Sequence, residues 1–264
     1  MHFNFKGKTV LVTASSKGIG YELAKQFLIL NANVCICSRN IKNLKKAKNS
    51  LLKFSSSNKF LVVRHDISNI NNQSKLIKKI RKKFNSDVSI LINNSGGPIP
   101  KAADAISLNE WNKALGNNLL SAISISKEVI PKMKKNNWGR IINLTSTTAK
   151  EPAANMGLSN VTRAALAAYS KTLSIEIAKF NITVNTILTG GCLTERLNSL
   201  IRKNSKNKKD FEKNLKLIIN SAPMKRIAHP EEFVKLIIFL ASENSSYING
   251  TAIAIDGGVS KNIF

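Results

Sequence analysis

A glycine-rich turn near the N-terminus is the first place where residue types and spacing suggest chemistry. An apolar run ends at Thr13, and Thr-Ala-Ser-Ser-Lys-Gly-Ile-Gly leads from there into a helical pattern. Glycines let the backbone approach a pyrophosphate, and the free N–H groups and positive dipole end of a helix N-terminus favour an anion. We therefore expect a dinucleotide phosphate to bind here. The residues of this expected site are Thr13, Ser15, Ser16, Lys17, Gly18, Ile19 and Gly20.

The next candidate strand bears on which dinucleotide binds. Folds that select NAD place an acidic residue near the end of strand two, where it binds the ribose 2′-hydroxyl. Here the segment reads Cys-Ser-Arg-Asn, with Ser38 and Arg39 at its centre. Arg39 and Lys17 could both bind a 2′-phosphate, and a guanidinium suits phosphate by its bidentate geometry. The alternative is two ordinary surface cations, but their position favours NADP(H) as the cofactor.

Apolar runs alternate with helical patterns along the chain. The runs are continuous rather than alternating in polarity, which is typical of strands buried on both faces of a parallel sheet. This rhythm predicts an α/β fold in one domain over 1–264, with helices on both faces of the sheet. The predicted strands are 9–13, 33–38, 60–65, 89–93, 139–145, 183–188 and 251–255. The predicted helices are 18–30, 41–56, 72–84, 108–136, 158–180 and 231–242.

Two segments interrupt that rhythm, 95–107 and 190–222. Each begins after a strand, and ligands of doubly wound sheets bind beyond the carboxyl ends of the strands. Both are therefore expected to line a substrate site. Because 190–222 is polar and rich in Lys and Asn, it is expected to be a mobile lid insertion.

The charge is strongly positive, with 41 Lys and Arg against 15 Asp and Glu and a formal net charge of +26. Nucleic-acid binding is one interpretation. However, the basic residues are scattered, many lie on outer helix faces, and no basic stripe is interleaved with aromatic residues. Compositional drift is the favoured interpretation, so no specific nucleic-acid partner is expected.

The cysteines and the hydropathy bear on the compartment. Cys35 and Cys37 lie two apart in an apolar run, which is typical of buried strand residues rather than of a metal site. The third cysteine, Cys192, makes an odd number, which argues against a disulfide framework. No apolar stretch approaches the ~18 residues that span a bilayer. We expect a soluble cytoplasmic protein with no metal and no membrane partner.

Further motifs follow the turn in order along nearly the whole chain. They are Asp66-Ile67, Asn93-Asn94-Ser95-Gly96, Asn118-Leu119, Thr189-Gly190 with Thr194 after it, and Asp256-Gly257-Gly258. Together they resemble the short-chain dehydrogenase/reductase family, with Ala14, Ser95 and Thr189 as departures from its usual residues. The resemblance implies a Rossmann fold with a doubly wound, parallel, seven-stranded sheet. Besides Ser38 and Arg39, the cofactor contacts that it implies are Asp66, Ile67, Asn93, Ser95, Gly96, Arg163, Thr189, Gly190 and Thr194.

The same resemblance implies a catalytic Ser, Tyr and Lys, supported by an Asn. Ser146 and Asn118 match the Ser and the Asn, but Ser159 stands in the Tyr position and Arg163 in the Lys position. Arginine keeps the charge that binds the ribose hydroxyls. A serine hydroxyl has a pKa far above the ~10 of tyrosine and lacks the reach of a phenol, so it is a poor general acid.

Three functions remain open at this point. The first is an NADP(H)-dependent oxidoreductase with an atypical catalytic site that acts on a carbonyl or hydroxyl substrate. A 3-oxoacyl-like compound is one candidate substrate. The second is a non-catalytic nucleotide-binding sensor or partner subunit on the same fold. The third, nucleic-acid binding, rests on charge alone. Family members pack two long helices across a dimer axis, so a homo-dimer or homo-tetramer is expected.

Overall fold

Seven parallel strands form one sheet in the computed structural model, which describes residues 3–263. The strand order is β3-β2-β1-β4-β5-β6-β7, so the order reverses between β1 and β4. Their bounds are β1 Thr9–Val12, β2 Asn33–Ser38, β3 Phe60–Arg64, β4 Ile90–Asn93, β5 Gly139–Ser146, β6 Ile182–Thr189 and β7 Ala252–Ile255. The predicted seven-stranded, doubly wound parallel sheet is confirmed. Met1, His2 and Phe264, which belong to the predicted domain 1–264, lie outside the described residues.

Helices cover both faces of this sheet. They are α1 Gly18–Ile29, α2 Ile41–Leu51, α3 Gln73–Phe84, α4 Leu108–Leu115, α5 Ser121–Lys135, α6 Gly157–Ile177, α7 Glu195–Lys203, α8 Lys208–Ser221 and α9 Pro230–Leu240. The apolar sides of α1, α2 and α9 pack on one face, whereas α3, α5 and α6 pack on the other. Within residues 3–263, no helix is long and apolar enough to cross a bilayer. The cytoplasmic location stays a prediction.

The helical pattern predicted over 108–136 contains a break in its hydrogen bonding. Between α4 and α5 the chain winds one π-helical turn, Gly116–Leu120. Such a turn holds one extra residue, and it often occurs at functional sites. Here it contains Asn118, which is buried.

Cys35 and Cys37 belong to the core on the α3, α5 and α6 face, as expected of strand residues. Burial raises the pKa of the Cys37 thiol to about 12 and that of Cys35 well above its ordinary value. Cys192 is also a buried free thiol, and burial raises its pKa to about 12. All three are therefore protonated at neutral pH.

The segment 190–222, for which the sequence predicts a mobile lid, is built largely of two helices, α7 and α8. Thr194 caps α7 by accepting from the Leu197 N–H, and Asn207 caps α8 by accepting from the Asp210 N–H. Polar caps of this kind satisfy the free N–H groups of a first turn. The first helix of this segment begins at Glu195, six residues after the end of β6, and the mobile lid stays a prediction.

Candidate cofactor and substrate site

The turn between β1 and α1 is shaped by tight packing. Gly18 has a φ of +60°, and Ala14, in the place of the family's first glycine, has a φ of +45°. A Cβ at Gly20 would lie 2.7 Å from Asn94 Nδ2 and 2.9 Å from Ser15 Cα, closer than real Cβ contacts allow. Only glycine therefore fits at position 20 without a shift of the turn.

Asn94 holds this turn against β4. Its Nδ2 donates to the carbonyl oxygens of Thr13 and Ala14, at 3.2 and 3.1 Å. The Thr13 hydroxyl donates to the Asn94 carbonyl at 2.6 Å, and the Ser15 hydroxyl donates to the Val12 carbonyl. The side chains of Thr13 and Ser15 thus shape the turn from inside. Sequence reasoning missed Asn94 as a site residue, although it stands within the quoted Asn93 to Gly96 motif.

The start of α1 offers an anion site. The first helical N–H that bonds back along the chain is that of Tyr21, to the Lys17 carbonyl, so the earlier N–H groups of the helix remain available. The first turn contains no acidic residue, and the N-cap, Lys17, makes no capping side-chain bond. The dipole of α1 and these N–H groups suit a pyrophosphate. Ile19 and Gly20 lie in this first turn, as predicted.

The rim beside β2 carries cations and hydroxyls. Ser16 Oγ donates to Ser38 Oγ at 3.2 Å, which joins the turn to the end of β2. Arg39 follows directly and is exposed. Lys17 is also exposed, and its ammonium is ion-paired with Glu195 at the start of α7. The structure therefore leaves Arg39 open to a ligand, whereas Lys17 already has an anionic partner.

The other predicted contacts lie along the carboxyl ends of β3, β4 and β6. Asp66 Oδ1 accepts from the Ser68 N–H and hydroxyl, and the Ile67 side chain is buried in the core. The Asn93 side chain turns inward, because its Nδ2 donates to Asn143 Oδ1 at 2.7 Å. Any contact of Asn93 with a cofactor must therefore come from its backbone. Gly96 faces open space.

The end of β6 packs closely against the C-terminal Asp-Gly-Gly motif. A Cβ at Gly190 would lie 2.6 Å from Asp256 Cα, so that position excludes a side chain. Thr189 Oγ1 donates to the Thr145 carbonyl at 2.7 Å. Thr194 lies against Gly18, because a Cβ there would be 3.3 Å from Thr194 Cγ2. The segment 190–222 thus contacts the turn between β1 and α1 through Thr194.

Arg163 is buried at the centre of the site, with 5% of its surface exposed. Its Nη1 donates to the Leu144 carbonyl at 2.8 Å and to Ser95 Oγ at 3.3 Å, whereas its Nε has no partner among the described residues. Burial, and to a lesser extent the charge of Arg196, lower the pKa of Arg163 to about 10. The guanidinium still carries its charge at neutral pH.

Asn118 extends this contact into a chain of hydrogen bonds. The Ser95 hydroxyl donates to Asn118 Oδ1 at 2.9 Å, and Asn118 Nδ2 donates to the Ala114 carbonyl at 3.0 Å. The second bond fixes the orientation of the Asn118 amide. Arg163, Ser95 and Asn118 are therefore connected in one line, and two of them, Ser95 and Arg163, are departures from the family pattern.

Ser146 and Ser159 meet through a residue that sequence reasoning missed. Ser146 Oγ accepts from the Thr148 N–H at 3.3 Å, and Thr148 Oγ1 lies 3.1 Å from Ser159 Oγ. Ser159 is 5% exposed, one helical turn before Arg163 on α6. The structure therefore brings together all four predicted catalytic positions at the ends of β5 and α6 and the π-helical turn. No sequence signal beyond proximity to Ser146 points to Thr148.

None of the three tyrosines of the chain, all within the described residues, stands in for the missing phenol. The Tyr21 hydroxyl bonds with Ser50, and Tyr247 is fully exposed. Tyr169 packs into the core on the α5 side, and burial raises its pKa. Hydroxyls of Ser and Thr, a buried guanidinium and an amide are what this site offers for chemistry.

Comparison with known proteins gives consistent matches over the whole chain. Residues 13–260 match the family model described as Enoyl-(Acyl carrier protein) reductase. The chain is 33% identical over 260 residues to the NADPH-dependent reductase BacG of Bacillus subtilis, covering 97% of this chain and 99% of BacG. It is 28% identical to the 3-oxoacyl-(acyl-carrier-protein) reductase FabG of Aquifex aeolicus, covering 98% and 100%.

A solved structure gives the same result for the fold. The L-sorbose reductase of Gluconobacter frateurii, determined with NADPH and L-sorbose, superimposes with a TM-score of 0.94 at 30% identity. The alignment covers 100% of both chains. The likeness therefore extends to the segment 190–222 as well as to the sheet.

Proposed function

Because this chain belongs to the short-chain dehydrogenase/reductase family and is an oxidoreductase, we propose that it transfers a hydride between NADP(H) and a carbonyl or hydroxyl substrate at an atypical site. The observation that carries the proposal is the connected line of Arg163, Ser95 and Asn118 beside a complete phosphate-binding turn. A 3-oxoacyl-like substrate is one candidate class.

The residues around the turn fit NADP(H). Gly20 has no Cβ to collide with Asn94, so the backbone of the turn stays accessible to the pyrophosphate. Arg39 is exposed at the position where an NAD-selective site would have an acidic residue. Two cations, Arg39 and Lys17, stand where a 2′-phosphate is expected, and the guanidinium can bind it with two parallel hydrogen bonds. When bound, the cofactor supplies the hydride for a carbonyl carbon.

The hydroxyls of Ser146 and Ser159 would hold the substrate oxygen. Their common neighbour, Thr148, keeps both at one place at the end of β5. As the carbonyl carbon accepts the hydride, its oxygen gains negative charge. Arg163 can stabilise this charge because it lies one helical turn from Ser159, about 6 Å along α6. A buried cation stabilises such charge more strongly than an exposed one. Ser159 Oγ would donate its proton to this oxygen and regain one from solvent, so that each turnover consumes one solvent proton.

This proposal is tested by cofactor titration followed by turnover. We expect the purified protein to bind NADPH more tightly than NADH and to oxidise NADPH with at least one β-ketoacyl, quinone or sugar-like carbonyl. Tight NADPH binding without any turnover would instead favour a non-catalytic nucleotide-binding protein. That alternative rests on the absence of a tyrosine at position 159.

The double change Ser159→Tyr with Arg163→Lys separates the two possibilities. A gain of activity would indicate a family member that has lost its chemistry. A loss of existing activity would indicate a redesigned site, which is the outcome we expect.

A homo-dimer or homo-tetramer is part of the proposal. Apolar side chains of α6 lie open in the single chain, with Ile175 69% and Val161 49% exposed. Leu120, at the end of the π-helical turn, is 44% exposed. Light scattering after gel filtration should give a mass of two or four chains.

A further inference from the structure

Two consecutive residues at the start of α7 point to different sides of the cleft. Glu195 pairs with Lys17 on the phosphate-binding turn. Arg196 turns to the opposite side, where its Nη2 donates to the Pro98 carbonyl at 3.0 Å. The helix that begins the lid therefore places an anion toward the cofactor turn and a cation toward the loop 95–107.

Arg196 fits closely into that loop. A Cβ at Gly97 would lie 2.7 Å from Arg196 Nη2 and 3.1 Å from its Cζ. Any other residue at position 97 would push the guanidinium away. Arg196 can therefore occupy this position only because Gly97 has no side chain.

The same short stretch of loop also holds Arg163. Ser95 accepts from Arg163 and Pro98 accepts from Arg196. Because Pro98 is three residues after Ser95, their Cα atoms lie at most about 10 Å apart. Two guanidinium groups therefore border one site, and the charge of Arg196 reaches Arg163 strongly enough to lower its pKa.

Neither cation has an acidic partner among residues 3–263, since no ion pair of the structure includes Arg163 or Arg196. Acids near the site are engaged elsewhere. Glu151 accepts from the Lys261 N–H, and Asp256 accepts from the N–H groups of Gly258 and Ser260. Two positive charges that border one site without a negative partner favour an anionic ligand there.

Arg196 itself is exposed, and its bond to Pro98 uses only one of the five N–H donors of a guanidinium. The remaining donors can bind both oxygens of a carboxylate. Ser146 and Ser159, which would hold the reacting oxygen, lie on the Arg163 side of the site. A substrate with a carbonyl at one end and a carboxylate at the other matches this order of groups.

We propose that the substrate is an oxoacid whose carboxylate is bound by Arg196 while its carbonyl faces Ser146 and Ser159. The proposal rests on the proposed function for the identity of the reacting group, but not for the anion site itself. Arg196 would thereby favour a charged substrate over a neutral one of the same shape.

The test compares an acid with its uncharged isostere. Acetoacetate and acetoacetamide differ by one charge at nearly constant shape, and their binding to the NADP⁺-loaded protein is measured by calorimetry at physiological salt. We expect the acid to bind about ten- to one-hundred-fold more tightly, the range for hydrogen bonds to a charged group. Arg196→Gln should remove most of this preference without changing the affinity for NADPH. Arg196→Lys should retain part of the preference for the acid, because lysine keeps the charge but cannot donate two parallel hydrogen bonds to a carboxylate.

Lys203→Gln is the matched control, since it removes one positive charge from the opposite end of α7. It should leave the preference for the acid unchanged. Equal affinities for acid and amide, no measurable affinity for either, an unchanged preference in Arg196→Gln, or an equal loss in Lys203→Gln would each overturn the proposal. Failure of the proposed function is read separately, as absence of NADPH binding or of turnover in the wild-type protein. Thermal unfolding of each variant verifies that it is folded.

Discussion

Lys17 on the phosphate-binding turn is ion-paired with Glu195, the first residue of α7. The lid segment is thereby joined to the residue that is expected to bind the 2′-phosphate. A bound 2′-phosphate and the Glu195 carboxylate would compete for one ammonium group.

Removing that competitor should strengthen cofactor binding. Glu195→Gln is expected to lower the dissociation constant for NADPH by up to about five-fold, since an exposed ion pair contributes at most ~1 kcal/mol. The affinity for NADH, which lacks the 2′-phosphate, should stay the same. Fluorescence titration with both cofactors measures the effect, and an equal change for both would count against the role of Lys17.

Arg39 should determine the choice between the two cofactors. Arg39→Ala is expected to weaken NADPH binding by about ten- to one-hundred-fold, because it removes a charge-assisted hydrogen bond to phosphate. NADH binding should change little. Arg64, which is exposed at the end of the neighbouring strand β3, supplies the control variant Arg64→Ala. If Arg39→Ala weakens the binding of NADPH and NADH equally, another residue must select between the two cofactors.

Ser159 should affect turnover but not cofactor affinity. We expect Ser159→Ala to lower kcat by at least ten-fold, because the substrate oxygen loses one of its two hydroxyl partners. The dissociation constant for NADPH should remain within two-fold, about the precision of a titration, as Arg163 is untouched. Thr148→Val removes the hydroxyl next to Ser159 and should have a smaller effect on kcat. A fully active Ser159→Ala variant would exclude Ser159 from the proton path.

Arg163→Lys should make cofactor binding sensitive to pH. Burial and the charge of Arg196 lower the pKa of Arg163 to about 10, and the same surroundings would lower a lysine from its ordinary value of ~10.4. A basic group is charged below its pKa, so the variant loses its charge as pH rises while the wild type still holds it. NADPH affinity of the variant should therefore decline at a lower pH than that of the wild type. Parallel pH profiles for the two proteins would contradict this.

Gly20→Ala should damage both the turn and the fold around it. The new Cβ would collide with Asn94 and Ser15, and crowding of this kind typically costs about 1–3 kcal/mol. Gly116→Ala is the control, because a Cβ there meets nothing within 4 Å. Thermal unfolding should show a clearly lower melting temperature for Gly20→Ala only. The affinity for NADPH should fall as well, since the displaced turn is the one expected to bind the pyrophosphate.

The strands could be predicted closely because they are continuous apolar runs, and the second strand ends at Ser38 as expected. The direction of the Asn93 side chain was also within reach of the sequence. Side chains alternate along a strand, and Leu91 packs under α5, so Asn93 must lie on that side too. The resemblance alone assigned it to the cofactor.

Other features depend on contacts that no local pattern carries. The π-helical turn over Gly116–Leu120 differs from an α-helix by a single shifted hydrogen bond, which the apolar spacing does not resolve. No local pattern distinguishes Arg196 from the other cations of this basic chain, because its position requires Gly97, distant in sequence, to leave it space. Likewise, α7 and α8 are rich in Lys and Asn, and their polar composition predicted mobility rather than helix.

The opposite directions of Glu195 and Arg196, at the start of α7, also have a thermodynamic consequence. One helix terminus contacts the cofactor turn through Glu195 and the loop 95–107 through Arg196, so a ligand that displaced one contact would change the free energy of binding at the other. Such linkage is reciprocal: whatever factor NADPH applies to the affinity for the second ligand, that ligand must apply to the affinity for NADPH. The affinity for each ligand would then depend on whether the other is bound.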